Sequence, residues 1–192
     1  MRNANPNAAS GTVRIVAGRL RGSKLAVPDR AGLRPTSDRV RETLFNWLAP
    51  VIAGARCLDL FAGTGALGIE ALSRGARECV FVERDRGLCE VLQANVARLH
   101  VENARVVNAD ADGFLAAPAT GVFDLVFLDP PFTEDLWAGA AARLEQGGWL
   151  ADGALIYVES PPDAVLALPR NWAPHRDGRA GAVRYALYRR LA

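Results

Sequence analysis

Cys57-Leu58-Asp59-Leu60-Phe61-Ala62-Gly63-Thr64-Gly65-Ala66-Leu67-Gly68 is the stretch on which the fold turns. Residues 57–61 are apolar apart from one carboxylate and read as a buried strand. Residues 62–65 form a glycine-rich turn, and from Ala66 to about Arg74 the spacing predicts a helix. Downstream the alternation repeats. Short apolar runs predict strands at 78–83, 104–108, 123–128 and 154–158, with helices at 86–100, 110–115 and 134–144 between them. In the first of these helices Leu88, Val91, Leu92, Asn95, Val96 and Leu99 recur at helical spacing. Residues 172–175 and 183–188, joined by a Gly/Arg turn at 177–181, read as a closing antiparallel pair. Successive βα units give an α/β, Rossmann-like fold: a mostly parallel sheet with helices on both faces, binding ligands beyond its strands' carboxyl ends. Asp59, Glu83, Asp110 and Asp129 all fall at or just past such ends.

The last of these opens Asp129-Pro130-Pro131-Phe132, directly after the run Phe123-Asp124-Leu125-Val126-Phe127-Leu128. Two prolines must end the strand, because neither has a backbone N–H to continue a ladder and each pushes its predecessor to an extended conformation. The result is a stiff corner bearing a carboxylate, free carbonyls and an aromatic ring. Such a corner suits a flat, amino-bearing base: the carboxylate and a carbonyl accept N–H groups while the ring stacks. An ordinary strand-ending turn is the plain alternative for an isolated Asp-Pro-Pro.

A chain of 192 residues, 50% hydrophobic and 23% charged, suits one globular domain with a short appendage. No apolar run approaches the ~18 residues needed to span a membrane. Residues 1–11 are rich in Asn, Ala and Ser with no hydrophobic stretch, so a loose tail is expected there, not a signal peptide. Cys57, Cys79 and Cys89 lack metal-ligand spacing and sit among apolar residues, as reduced core cysteines of a cytoplasmic protein do. With only His100 and His175 besides, no metal site is expected.

Net charge is +2, but its distribution is uneven. Residues 1–47 carry nine Lys/Arg against three acids, and the remainder is net −4. A basic N-terminal segment on a mildly acidic body points to a polyanionic partner. Residues 13–27 look like a small hairpin or extended arm with arginines on one side. Residues 28–35 read as a loop. Ser37 or Asp38 can cap a helix to about Leu48, with Val40, Leu44, Trp47 and Leu48 on one face and Arg39, Arg41 and Glu42 off it. The organisation is therefore a flexible tail (1–12), a basic hairpin-and-helix extension (13–50) and a main domain (51–192).

Gly63-Thr64-Gly65-Ala66-Leu67-Gly68 matches G-x-G-x-x-G, which serves NAD and S-adenosylmethionine alike. Glu83, ending the next strand, can accept from ribose hydroxyls in either case. Asp59 discriminates. A carboxylate just before the glycine turn repels a pyrophosphate and favours a sulfonium and an amino group. Asp110 can accept an adenine amine with the Ala111 N–H facing a ring nitrogen, although it could equally be a plain helix cap. Taken in order at successive strand ends, these residues favour the methyl donor.

Asp59-Leu60-Phe61-Ala62-Gly63-Thr64-Gly65, Glu83, Asp110 and Asp129-Pro130-Pro131-Phe132 resemble the ordered motifs of class I S-adenosylmethionine-dependent methyltransferases. The tetrapeptide resembles the signature of those that methylate exocyclic amines of bases. More narrowly, Arg34-Pro35-Thr36-Ser37-Asp38-Arg39-Val40-Arg41-Glu42-Thr43-Leu44-Phe45-Asn46-Trp47-Leu48 and residues 63–76 look like the RsmD family of bacterial 16S rRNA guanine-N2 methyltransferases. The resemblance runs from about Arg14 to Val158. It implies a seven-stranded sheet and a cofactor site at Asp59, Phe61, Gly63, Thr64, Gly65, Glu83, Asp110 and Ala111. It also implies methyl transfer to one guanosine amine of the small ribosomal subunit, by a cytoplasmic protein expected to be a monomer.

On this reading Asp129 and the Pro130 carbonyl take the two amine hydrogens and aim the nitrogen lone pair, Pro131 stiffens the corner, and Phe132 stacks on an unpaired base. Arg14, Arg19, Arg21, Lys24, Arg34, Arg39 and Arg41 are expected to hold phosphates. Adenine-N6 or cytosine-N4 methylation of DNA or another RNA shares the tetrapeptide. An NAD-dependent oxidoreductase would need a hydride-transfer constellation, and no His, Lys or Tyr lies near a strand end in the right region; the intact cofactor and Asp-Pro-Pro-Phe motifs argue against a non-catalytic RNA-binding factor.

Overall fold

The computed structural model describes residues 9–28 and 36–192. Two short strands, β1 (Ala9–Arg14) and β2 (Lys24–Pro28), form an antiparallel hairpin in which Val13 pairs with Leu25 and Arg14 with Lys24. β1 takes in residues 9–12, where the sequence suggested a tail, because Gly11 and Thr12 pair with Val27 and Ala26. Helix α1 (Asp38–Leu48) follows, capped by the Ser37 hydroxyl, which accepts from the Val40 N–H. The loop expected at 28–35 lies outside the described residues beyond Pro28.

The main body runs β3 (Arg56–Asp59), α2 (Ala66–Ser73), β4 (Glu78–Glu83), α3 (Arg86–Arg98), β5 (Ala104–Asn108), α4 (Ala111–Ala116), β6 (Phe123–Leu128), α5 (Trp137–Gln146), β7 (Leu150–Ser160), β8 (Trp172–Ala180) and β9 (Val183–Arg190). Seven strands form one sheet in the order β5-β4-β3-β6-β7-β9-β8. The first five are parallel, and β9 and β8 add antiparallel. The order reverses between β3 and β6, so the crevice for a ligand opens above those two strands. α5 starts at Trp137, later than the 134 expected, after the diproline corner and Asp135 at φ 46°.

Side-chain alternation divides the strands between two cores. Cys57, Phe81, Phe127, Tyr157 and Leu187 pack with α1, α2 and the hairpin on one face. Leu58, Val80, Val126, Leu128, Ile156 and Tyr188 pack with α5 on the other. Gly68 is needed for the first of these: a Cβ there would lie 2.2 Å from the Phe81 ring, so only glycine lets α2 close onto β4. The three cysteines are free and buried, as expected.

The hairpin is fixed to the body by polar contacts as well as apolar ones. Glu70, buried in α2, accepts from the backbone N–H groups of Val16 (2.8 Å) and Ala17 (3.0 Å). The Leu20 N–H donates to the Ser73 hydroxyl, and Ala26 exchanges two bonds with the Asn95 amide of α3. Gly18 passes so near the Ser73 carbonyl that no side chain would fit. Arg41 corrects the sequence reading. It is fully buried, donating to Glu70, Asp38 and the carbonyls of Arg14 and Thr36, and is not free to hold a phosphate.

Candidate active site

At the carboxyl edge of β3, β4, β6 and β7 lies a cleft of about 1000 Å³. Its walls bring together Asp59, Phe61, Gly63, Thr64, Glu83, Asp110 and Ala111 at one end and Asp129, Pro130, Pro131 and Phe132 at the other. The sequence placed these residues at successive strand ends, and a doubly wound sheet gathers such ends at one edge.

The glycine turn is held by its own acids. Glu83 accepts from the Gly63 N–H with one oxygen and from the Asp85 N–H with the other, each at 2.8 Å. This fixes the carboxylate at the rim, with lone pairs to spare for ribose hydroxyls. Gly65 has φ 75° as the cap of α2, and a Cβ there would strike Leu92. It shapes the turn by packing, while Gly63, Thr64 and Ala66 form the wall. Asp59 is buried under the turn, one oxygen accepting from the Gly68 N–H at 3.1 Å. Burial pushes its carboxyl up to about 7, against the Gly68 hydrogen bond, with the Glu83 charge adding to the rise.

Asp110 caps α4 through the Gly113 N–H at 2.6 Å. The cap reading is thus realised, and Asp110 still lines the cleft with Ala111. This set of residues fits S-adenosylmethionine: a buried acid, two acids at the rim and a glycine-rich turn between them.

The other end is shaped by the diproline corner. Phe132 remains 37% exposed, its ring 5.8 Å from that of Trp137, so one face is open to a flat ligand. Among the described residues no donor reaches the Asp129 carboxyl. Burial, then the charges of Glu159 and Asp59, push it well above the ordinary carboxylate range. Across the cleft mouth Arg84 and Glu134 form a bidentate ion pair.

A family model described as Conserved hypothetical protein 95 matches residues 13–189. The chain is 55% identical over 189 residues to Ribosomal RNA small subunit methyltransferase D of Escherichia coli strain K12, covering 97% of this chain and 95% of that one. The chain belongs to the RsmD family. Its likeness to the Haemophilus influenzae RsmD is 48% over 186 residues, covering 95% of this chain and 96% of that one. A solved structure from Escherichia coli, yhhF, superposes with a TM-score of 0.87 at 52% identity, covering 95% of this chain and 99% of that one.

In this RsmD-family chain the cleft also uses residues the motif reading missed. Thr36, Ser37 and Val40 enter from the start of α1, and Ala180, Ala182 and Val183 from the β8–β9 turn. Glu159 is the most consequential. It lies in the last two residues of β7 as Asp129 follows β6, a position the strand-end rule could have flagged. Of the expected basic contacts, Arg14, Arg19, Arg21, Lys24 and Arg39 are exposed on the hairpin and α1, and Arg34 lies outside the described residues.

Proposed function

We propose that this protein transfers the methyl group of S-adenosylmethionine to the exocyclic N2 of one guanosine in the 16S rRNA of the small ribosomal subunit. The observation that carries this reading is the single cleft in which an acid-lined glycine turn faces Asp129-Pro130-Pro131-Phe132. The 55% identical Escherichia coli relative, a ribosomal RNA small subunit methyltransferase, supports the substrate class.

The cofactor, when bound, supplies a methyl carbon activated by its sulfonium. The remaining work falls to the chain. Asp59, Phe61, Gly63, Thr64, Gly65, Glu83, Asp110 and Ala111 form the cofactor end. Guanine N2 is a poor nucleophile because its lone pair is delocalised into the ring. Asp129 and the Pro130 carbonyl accept its two hydrogens, which favours a pyramidal nitrogen and aims the lone pair. As the N–C bond forms, the methyl group would leave its sulfur as a neutral thioether, and the positive charge passed to nitrogen is stabilised by Asp129, whose carboxylate takes the proton. Phe132 stacks on the base, which is presented unpaired.

The extension at residues 13–50 supplies the RNA-facing surface, through Arg14, Arg19, Arg21, Lys24, Arg34 and Arg39. No helix among the described residues is long and apolar enough to cross a membrane. On this reading the protein acts as a monomer in the cytoplasm.

Small subunits lacking native methylation, incubated with tritiated-methyl cofactor and digested to nucleosides, test the reading. Label is expected in N2-methylguanosine. Label in N6-methyladenosine or N4-methylcytidine would replace the base, and no transfer would refute the activity.

A further inference from the structure

Among the exocyclic amines of the bases, that of guanine has a distinctive neighbour. The ring nitrogen beside it, N1, carries a hydrogen and donates. The ring nitrogen beside adenine N6 or cytosine N4 is bare and accepts. An Asp-Pro-Pro-Phe corner engages only the amine and is blind to this difference. A second acceptor next to Asp129 would not be.

Glu159 is that second acceptor. The parallel register of β6 and β7 pairs Leu128 with Val158, so Asp129 and Glu159 stand one residue past it on neighbouring strands. Alternation puts both on the face of Phe127 and Tyr157, toward α1. Both line the cleft. Glu159 is only 4% exposed, yet one of its oxygens does all the bonding seen among the described residues. Its Oε1 accepts from the Thr36 hydroxyl at 2.7 Å and from the Tyr157 hydroxyl at 2.8 Å. The Trp137 indole N–H donates to its backbone carbonyl and further fixes the residue. No described donor reaches Oε2. A buried carboxylate with one oxygen clamped by two hydroxyls and the other unpartnered is a prepared acceptor, costly to leave unused. The two hydroxyls also favour its charged form against the effect of burial.

We propose that Glu159 is the guanine-selecting residue: its Oε2 accepts the N1–H of the target base while Asp129 accepts an N2–H. This rests on the function proposed above and assigns base choice within it. Thr36, which joins the basic extension to the cleft, positions Glu159 through Oε1. Adenine or cytosine would set a bare ring nitrogen against a carboxylate oxygen, acceptor against acceptor, and would be rejected.

The test uses small subunits reconstituted with either guanosine or 2-aminopurine ribonucleotide at the position labelled in the nucleoside assay. 2-Aminopurine keeps the amine but has a bare N1. The wild-type protein is expected to favour guanine in kcat/KM by about 10–100-fold. Glu159→Gln can turn its amide N–H2 toward the bare nitrogen while its oxygen stays with the two hydroxyls. Its preference for guanine should shrink by about tenfold or invert, with cofactor affinity unchanged. Equal wild-type rates on the two bases would overturn the proposal without any variant, even if Glu159→Gln failed to fold. So would an unchanged preference in a folded Glu159→Gln protein. A wild-type protein that labels neither base would instead sink the function on which the proposal rests.

Discussion

Two buried acidic centres lie on the same face of the sheet, and they are built in opposite ways. Beneath the hairpin, Glu70 receives the Val16 and Ala17 amides, Arg41 and Arg74, so both oxygens are occupied. At the cleft, among the described residues, Asp129 has no donor and Asp59 and Glu159 each bond through one oxygen. Burial raises the carboxyls of all three acids at the cleft. A saturated carboxylate holds structure together; an unsaturated one in a cavity is waiting for a ligand's hydrogens or charge.

The sharpest way to break this contrast is to remove an acid from each centre. Asp129→Ala should cut methyl transfer by on the order of 10³-fold, with cofactor affinity and melting temperature close to wild type. Its loss relieves a buried carboxyl of an unmet demand, so calorimetry showing a large destabilisation would count against the assignment. The reverse holds below the hairpin. Arg41→Met leaves Glu70 buried with one of its two guanidinium partners gone and should cost about 3–5 kcal/mol in urea unfolding, while the folded fraction keeps its activity. Selective loss of RNA binding in a stable Arg41→Met protein would return that arginine to the phosphate-binding set.

A smaller effect separates the two centres by pH. Asp59 has an ordinary value of 3.8 and a folded value of about 7. The unfolded chain therefore loses this proton first, and Asp59 makes the fold less stable as pH rises between those values. A cationic ligand favours the ionised form, so cofactor affinity should behave oppositely. It should weaken by about tenfold per pH unit below 7 and level off above it, as read by isothermal titration. Asp59→Asn should flatten the profile; a flat wild-type profile would mean Asp59 does not sense the ligand's charge.

Much of the sheet was legible because each strand is a short apolar run ended by glycine, proline or an acid. The closing hairpin and the strand-end acids followed from the same pattern. What escaped was pairing across distance. Arg41, Leu44, Phe45 and Leu48 are spaced as one helical face, yet a charge on that face makes sense only once Glu70, 29 residues away, is seen beneath it. Glu159 follows its apolar run as Asp129 follows Leu128, but its meaning comes from the strand register with Asp129. Asp110 showed the converse, a residue whose local role as a cap and whose place in the cleft coexist.

The seating of the hairpin has a further consequence. Glu70 and Ser73 anchor its turn and Asn95 anchors its second strand, so the strip bearing Arg14, Arg19, Arg21 and Lys24 cannot swing against the body. The interval from that strip to the diproline ledge is therefore a constant, like the opening of a locked calliper. On the function proposed above, an RNA whose backbone rests on the strip would offer the ledge only nucleotides at one reach, and choice of address would become a matter of length before any base is read.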